Sequence, residues 1–257
     1  MKKKWIYNSL IIAFSLAFLF CVYKIASYYI QLGTTNKVKD ELIGEVVSYE
    51  ETEELPSEQP TEEKGYYHAP VPKSINFETL KAKNNEVVAW LFNENGIINY
   101  PVMHTDNNQY YLNHLIDGRK NVNGSIYIDY RNSSDFTDYN TIFYGHSMKN
   151  GTMFASLLRY RNHSYFAEYP CFYLYTPNGN YRAEIVSAYE TDINDIVYDY
   201  VRSENQFENL IRHVKSRSRY DTNLEVTTND TLVTFSTCAY SSDNARFVVV
   251  AKLYLIE

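Results

Sequence analysis

Cys171-Phe172-Tyr173-Leu174-Tyr175-Thr176-Pro177-Asn178-Gly179-Asn180-Tyr181, continued by Arg182 to Tyr189, decides the fold class. Two runs rich in Val, Ile, Tyr and Phe flank an Asn-Gly dipeptide, the residue pair that a tight hairpin turn favours. Working outward, similar runs occupy Ile97 to Met103, Ser125 to Tyr130, Thr141 to Tyr144, Leu232 to Thr237 and Arg246 to Ile256. Asn95-Gly96, Asn123-Gly124 and Asn150-Gly151 punctuate them as turns. Helices interrupt the β pattern. A short one starts at Asn76-Phe77-Glu78, and another follows Thr152 and carries Met153, Phe154, Leu157 and Leu158. A third opens at Ser203-x-x-Gln206, a capping box, and sets Phe207, Leu210, Ile211 and Val214 at i, i+3, i+4 and i+7, one apolar face for a sheet. The expected class is mainly β with peripheral helices, a mixed β-barrel.

The N-terminus differs in kind. Met1-Lys2-Lys3-Lys4 precedes an apolar run from Trp5 to Tyr23, about the ~20 residues that cross a bilayer as a helix. The leading lysines place the N-terminus in the cytoplasm and the rest of the chain outside. No small-x-small cleavage site follows the run, and Phe20 before Cys21 is too bulky for a lipoprotein-type site, so the expectation is an uncleaved anchor rather than a signal peptide. From there to about residue 74 acidic residues accumulate, Glu45, Glu50, Glu51, Glu53, Glu54, Glu58, Glu62 and Glu63 with Pro56 and Pro60 among them. Such a stretch has too little apolar surface to fold and reads as a solvated tether. The division is therefore 1–30 basic tip and transmembrane anchor, 31–74 acidic extracellular linker, and 75–257 catalytic domain.

The formal charge of −7 argues against a nucleic-acid partner. Three cysteines in an exported chain of 257 residues make no disulfide scaffold. Cys21 lies in the apolar run and Cys171 in a strand-like one, which leaves Cys238, in Thr234-Phe235-Ser236-Thr237-Cys238, as the thiol to be explained. A cysteine is only a few per cent thiolate at pH 7 and needs a nearby base or cation to become a useful nucleophile. His146, after Thr141-Ile142-Phe143-Tyr144-Gly145, is the natural base, and Gly145 permits close backbone approach beside it. Arg246, always protonated, suits a developing oxyanion or a substrate carbonyl. No His/Cys/carboxylate cluster has metal-ligand spacing, and no Gly-rich loop cradles a phosphate, so no cofactor is expected. The 26 tyrosines read as strand and barrel-surface residues rather than a binding stripe.

Several motifs in order resemble a class B sortase, the membrane-anchored cysteine transpeptidases of Gram-positive bacteria. They are Ile98-Asn99-Tyr100-Pro101-Val102, Asn108-Gln109-Tyr110-Tyr111-Leu112, Gly124 to Asn132, Tyr144-Gly145-His146-Ser147-Met148-Lys149, Gly151-Thr152-Met153-Phe154 and the Thr-x-x-Thr-Cys pentad. The helix at 203–215 is similar to the one that marks that class. The resemblance implies Cys238 as nucleophile, His146 as general acid/base and Arg246 as the substrate- and oxyanion-stabilising cation. It implies cleavage of a C-terminal sorting signal after Thr and transfer of the acyl group to an amine of a peptidoglycan cross-bridge or lipid-linked precursor. Asn108, Leu112, Ser236 and Thr237 match positions that line the family's peptide groove, although packing or turn roles suit them too. Two departures stand out. Phe235 occupies a position usually Leu, expected in a groove wall, and Ala239 follows the cysteine where some members carry an acidic residue. Other readings are a pilin-polymerising sortase, a membrane-tethered protein that binds sorting peptides without turnover, and a secreted cysteine protease. Such pilin enzymes often carry an Asp-Pro-type lid, and residues 44–74 contain no Asp.

Overall fold

The computed structural model describes residues 2–50 and 67–256. Eight strands close a barrel in the order β10-β8-β7-β3-β4-β5-β6-β9. These are β3 (Val87–Phe92), β4 (Asn99–Met103), β5 (Ile126–Ile128), β6 (Asn140–Tyr144), β7 (Cys171–Thr176), β8 (Gly179–Asp192), β9 (Leu232–Cys238) and β10 (Ala245–Leu255). Most neighbours are antiparallel, but β4–β5 and β6–β9 are parallel, so the barrel is mixed as expected. The hairpin expected here joins β7 to β8, but its two turn residues are Pro177-Asn178, one position earlier than the Asn-Gly pair, and Gly179 opens β8 opposite Thr176; the β8–β10 ladder runs along both strands. Closure leaves no free sheet edge among these strands.

Strand β3 has no counterpart in the sequence reading. Its residues Val87-Val88-Ala89-Trp90-Leu91-Phe92 are nearly all buried because the strand pairs with β4 on one side and β7 on the other. A strand covered on both faces loses the alternation that marks a half-exposed one. Trp90 is fully buried, and its indole N–H donates to Asn99 Oδ1 at 2.7 Å.

Helix α2 (Phe77–Lys83) starts where Asn76 accepts the Thr79 N–H, as the cap predicts. The segment after Thr152 forms a 3-10 helix at Phe154–Arg161 followed by a short α3 (His163–Glu168), not one α-helix. Helix α4 (Glu204–Arg217) is capped by Ser203 and buries Phe207, Leu210, Ile211 and Val214. Gln206 reaches back to the N–H of Arg202, one residue before the cap.

The largest departure from expectation lies in the segment read as a tether from residue 31. Helix α1 runs without a break over Lys2–Val46, and its last part packs on the barrel through Leu32, Thr35, Leu42 and Val46, all buried. Those residues fall at i, i+3, i+10 and i+14, one face of a helix. The acidic residues that follow mask the pattern when composition is averaged. Beyond the helix, β1 (Val47–Ser48) pairs with β2 (Ser74–Ile75), and residues 67–72 are fastened by Tyr169 to the Tyr67 carbonyl and Tyr175 to the Pro72 carbonyl. The most acidic part of the expected linker, 51–66, lies outside the described residues. The apolar first half of α1 is long and apolar enough to cross a membrane by length and composition.

Candidate active site

The site lies where β6, β9 and β10 end together. Cys238, the last residue of β9, is the register partner of Arg246 on antiparallel β10. Directly opposed residues project from the same face with Cβ atoms roughly 5 Å apart, so the thiol and the guanidinium are neighbours by sheet geometry. On the other side of β9, parallel β6 sets Tyr144 level with Ser236. That pair is the last of the ladder; His146 and Cys238 each follow it by two residues, and both reach the same cavity.

Backbone ties fix this alignment beyond the last ladder pair. The Gly145 N–H donates to the Ser236 carbonyl at 3.3 Å, and the Thr237 hydroxyl donates to the Gly145 carbonyl at 2.8 Å. Gly145 makes the close approach anticipated for it: a Cβ there would lie 2.7 Å from Cγ of the buried Phe154 ring. The loop after Cys238 is pinned across the β6 end by Tyr240, whose hydroxyl donates to the Ser147 carbonyl at 2.7 Å.

His146 Nε2 lies 2.7 Å from the Leu112 carbonyl oxygen. A carbonyl only accepts, so Nε2 carries a proton, and Nδ1 is left as the nitrogen that takes up or delivers one. Cys238, His146 and Arg246 are each half-buried and line one cavity of about 310 Å³. Asn108, Leu112, Ser236 and Thr237 line it as well. All seven residues singled out from the sequence therefore meet in one cavity, although they come from separate parts of the chain.

The sequence reading missed Tyr127, Tyr144, Ile193 and Tyr198, which complete the lining. The signal was present for Tyr127, which alternates with the buried Ile126 and Ile128 and so faces the other side of β5. The three tyrosines do more than cover a barrel surface. The Tyr198 hydroxyl is 2.8 Å from the Ser236 hydroxyl, and burial pushes its pKa up to about 12 despite the opposing pull of Ser236 and Arg246. Burial, then the charge of Asp129, pushes Tyr127 and Tyr144 still further up, so all three stay neutral hydroxyls at the cavity wall.

Behind them lies a buried carboxylate. Asp129 accepts from Asn108 Nδ2 at 2.9 Å, from the Tyr144 hydroxyl at 3.0 Å, and from Arg131 Nε and Nη2 at 2.7 and 2.9 Å. Burial alone would push its carboxyl up, but the Arg131 fork and Asn108 overcome it and hold the group below the usual carboxylate range. Asn108 also accepts the Tyr130 N–H, and its carbonyl accepts the Tyr127 hydroxyl at 3.0 Å. Its amide is thus engaged on both sides within the protein while it lines the cavity.

Phe235 does not sit in a groove wall. It is fully buried in the barrel core against the rings of Phe143, Phe154 and Phe172, because it alternates with Ser236 and points inward. Cys171 is buried as well, and burial pushes its thiol up. The three cysteines are unpaired. Among the described residues, no group of three or more His, Cys, Asp and Glu is arranged to hold a metal ion.

No family model matches the chain. It is 37% identical over 180 residues to sortase B of Listeria monocytogenes, an alignment that covers 68% of this chain and 72% of that protein. This chain belongs to the sortase B family. A second relative, sortase B of Staphylococcus aureus, is 32% identical over 187 residues, 70% of this chain and 75% of the relative. The crystal structure of the Staphylococcus aureus enzyme matches with a TM-score of 0.66, covering 70% of this chain and 87% of that one. A Bacillus anthracis protein described as similar to sortase B matches at 27% identity with a TM-score of 0.69, over 90% of this chain and 98% of that one. As a sortase, the protein is a cysteine transpeptidase.

Proposed function

We propose that this sortase cleaves the C-terminal sorting signal of secreted proteins after a Thr residue and transfers the acyl group, through a thioester on Cys238, to an amine of peptidoglycan or its lipid-linked precursor. The observation that carries the assignment is the meeting of Cys238, His146 and Arg246 at one cavity. Cys171 is buried and Cys21 lies in the apolar helix, which leaves Cys238 as the thiol a peptide can reach.

The steps follow from the groups present. The Cys238 thiolate attacks the Thr carbonyl carbon, the C–S bond forms, and the carbonyl electrons move to oxygen, where the Arg246 guanidinium balances the charge. Collapse of this adduct restores the C=O bond and breaks the C–N bond, and Nδ1–H of the imidazolium gives its proton to the departing amine. In the second half the acceptor amine attacks the thioester, His146 takes the amine proton, and the thiolate leaves. Asn108, Leu112, Ser236 and Thr237 contribute to the peptide-binding wall. The first half of α1 is the membrane anchor, with the N-terminus cytoplasmic and the barrel outside, since three lysines precede the span.

The test incubates the protein with a panel of sorting-signal peptides, with and without short amine acceptors, and reads the masses of enzyme and products. An adduct on Cys238 that passes to the amine is expected, and Cys238→Ala is expected to abolish it while remaining folded. Transpeptidation retained by Cys238→Ala would sink the assignment. Water as the only acceptor would point to a protease instead.

A further inference from the structure

We infer that helix α1 is part of the support of the catalytic histidine, and that Asn121 is the positioning residue that joins the two. The inference rests on the reading of His146 as the acid–base group.

The imidazole is oriented by a backbone carbonyl, Leu112 O, at 2.7 Å from Nε2. A carbonyl is only as fixed as the segment that carries it. Residues 110–125 contain one 3-10 turn, Tyr110–Leu112, and an isolated bridge between His114 and Lys120. The Ser125 N–H tie to the Tyr111 carbonyl at 2.9 Å and the Asn84 Nδ2 tie to the Ile116 carbonyl at 2.8 Å hold parts of it, and Asn121 adds the tie to α1. It is 2% exposed, and its side chain points into α1: Nδ2 donates to the Gln31 carbonyl at 2.9 Å and Oδ1 accepts from the Thr35 hydroxyl at 3.1 Å. Next to it, the Val122 N–H donates to Gln31 Oε1 at 3.0 Å. The Asn121 backbone N–H donates to the Asn113 carbonyl at 2.9 Å, one residue from Leu112.

From behind, the backbone packs closely against the same carbonyl because there is no side chain at Gly124. Its φ is +56°, and a Cβ there would lie 2.6 Å from Leu112 O and 2.3 Å from Tyr111 O, while its N–H donates to Asn121 O at 3.2 Å. Contacts therefore run from α1 through Asn121, Asn113 and Leu112 to His146. General acid–base catalysis needs the imidazole within hydrogen-bond reach of the reacting atoms. Loosening the segment lowers the fraction of time that condition holds, without removing any group that touches the peptide.

The test uses the full chain in lipid nanodiscs. Asn121→Ala is expected to lower kcat for acylation by a sorting peptide with KM unchanged, by roughly ten-fold, a fraction of the ~100-fold that a full ångström of misplacement costs. Nitrogen-15 NMR of His146 is expected to show a smaller share of the Nε2–H tautomer. Thr35→Val keeps the shape of the side chain but removes its donor to Asn121, so it moves both readouts in the same direction even if Asn121→Ala fails to fold. Thr35→Ser restores them. Lys37→Gln, on the exposed face of α1, leaves both unchanged. If His146→Ala abolishes acylation but Thr35→Val alters neither kcat nor the tautomer, this inference is overturned and the site assignment stands. A rise in KM alone overturns it too, since the segment would then act on peptide binding. A His146→Ala enzyme that acylates at the wild-type rate overturns the site assignment itself.

Discussion

Substituting Gly145 by Ala adds one methyl group at the most crowded point beside the site. The new Cβ would lie 2.7 and 2.8 Å from Cγ and Cδ2 of Phe154, where carbon atoms sit comfortably at roughly 3.5–4.0 Å. The ring has nowhere to retreat: it is fully buried and meets Phe235 edge-on at 6.1 Å. The strand end must shift instead, carrying His146 and loosening the ties from Gly145 to Ser236 and Thr237. Overpacking of this kind costs about 2 kcal/mol, within the usual range of roughly 1–3. For a domain of this size each kcal/mol lowers Tm by about 2–4 °C, so a fall of about 4–8 °C is expected. Urea unfolding followed by the fluorescence of the buried Trp90 measures the loss, and the acylation rate reports the displaced imidazole. Phe154→Leu is the decisive partner because it shortens the obstacle. The double variant should recover about 1 kcal/mol or more relative to the sum of the single costs. If the two costs add within about 0.5 kcal/mol, the ring is not what Gly145 accommodates and the reasoning fails.

Phe235→Leu, which restores the residue usual in the family, should cost about 1–3 kcal/mol of stability by leaving a void among Phe143, Phe154 and Phe172, with peptide preference unchanged. A changed preference among sorting peptides would return Phe235 to the groove wall. Asp129 has a folded-state pKa below the ordinary 3.8, so its stabilisation is complete above the unfolded carboxylate range and is lost as pH falls through the lower folded value. Asp129→Asn should therefore be less stable at neutral pH and show a flatter stability curve in acid, as acid titration of unfolding will reveal. His68 bridges Glu168 at 2.6 Å and Glu94 at 3.0 Å, with Glu168 the stronger influence raising its pKa. The clasp is complete below the ordinary 6.5 and weakens as pH rises through the raised value, so the protection factor of the nearby Ala69 amide, measured against its intrinsic base-catalysed rate, should fall over that range, and His68→Ala should leave it low and flat with pH. Because the pair is exposed, the effect is local rather than global.

The apolar Trp5 to Tyr23 run, the β7–β8 hairpin, the Ser203 cap and the β-rich segments around Cys238 and Arg246 were legible because each is a local pattern, set by residues within a turn or two of one another. Periodicity and turn chemistry depend only on such near neighbours. The same holds for the thiol, imidazole and guanidinium as chemical types, and ordered motifs across the domain supplied the family resemblance. Three features escaped. Strand β3 is buried on both faces and so shows no alternation. The docked face of α1 is spaced over four turns and diluted by the glutamates that follow it. The tyrosines of the cavity look like any strand tyrosines until their strands are paired.

The sequence by itself determined which groups are available and which short segments are strands, turns and helices. Tertiary structure alone decided that β6 runs parallel to β9 and β10 antiparallel to it, the pairing that brings Cys238, His146 and Arg246 to one cavity. It also decided that Leu112, 34 residues before His146, offers the carbonyl that orients the imidazole, and that the docked second half of α1 bonds to the loop bearing that carbonyl. These are contacts between residues remote in sequence. Their geometry follows from barrel closure and from burial of the helix face, which no local pattern specifies.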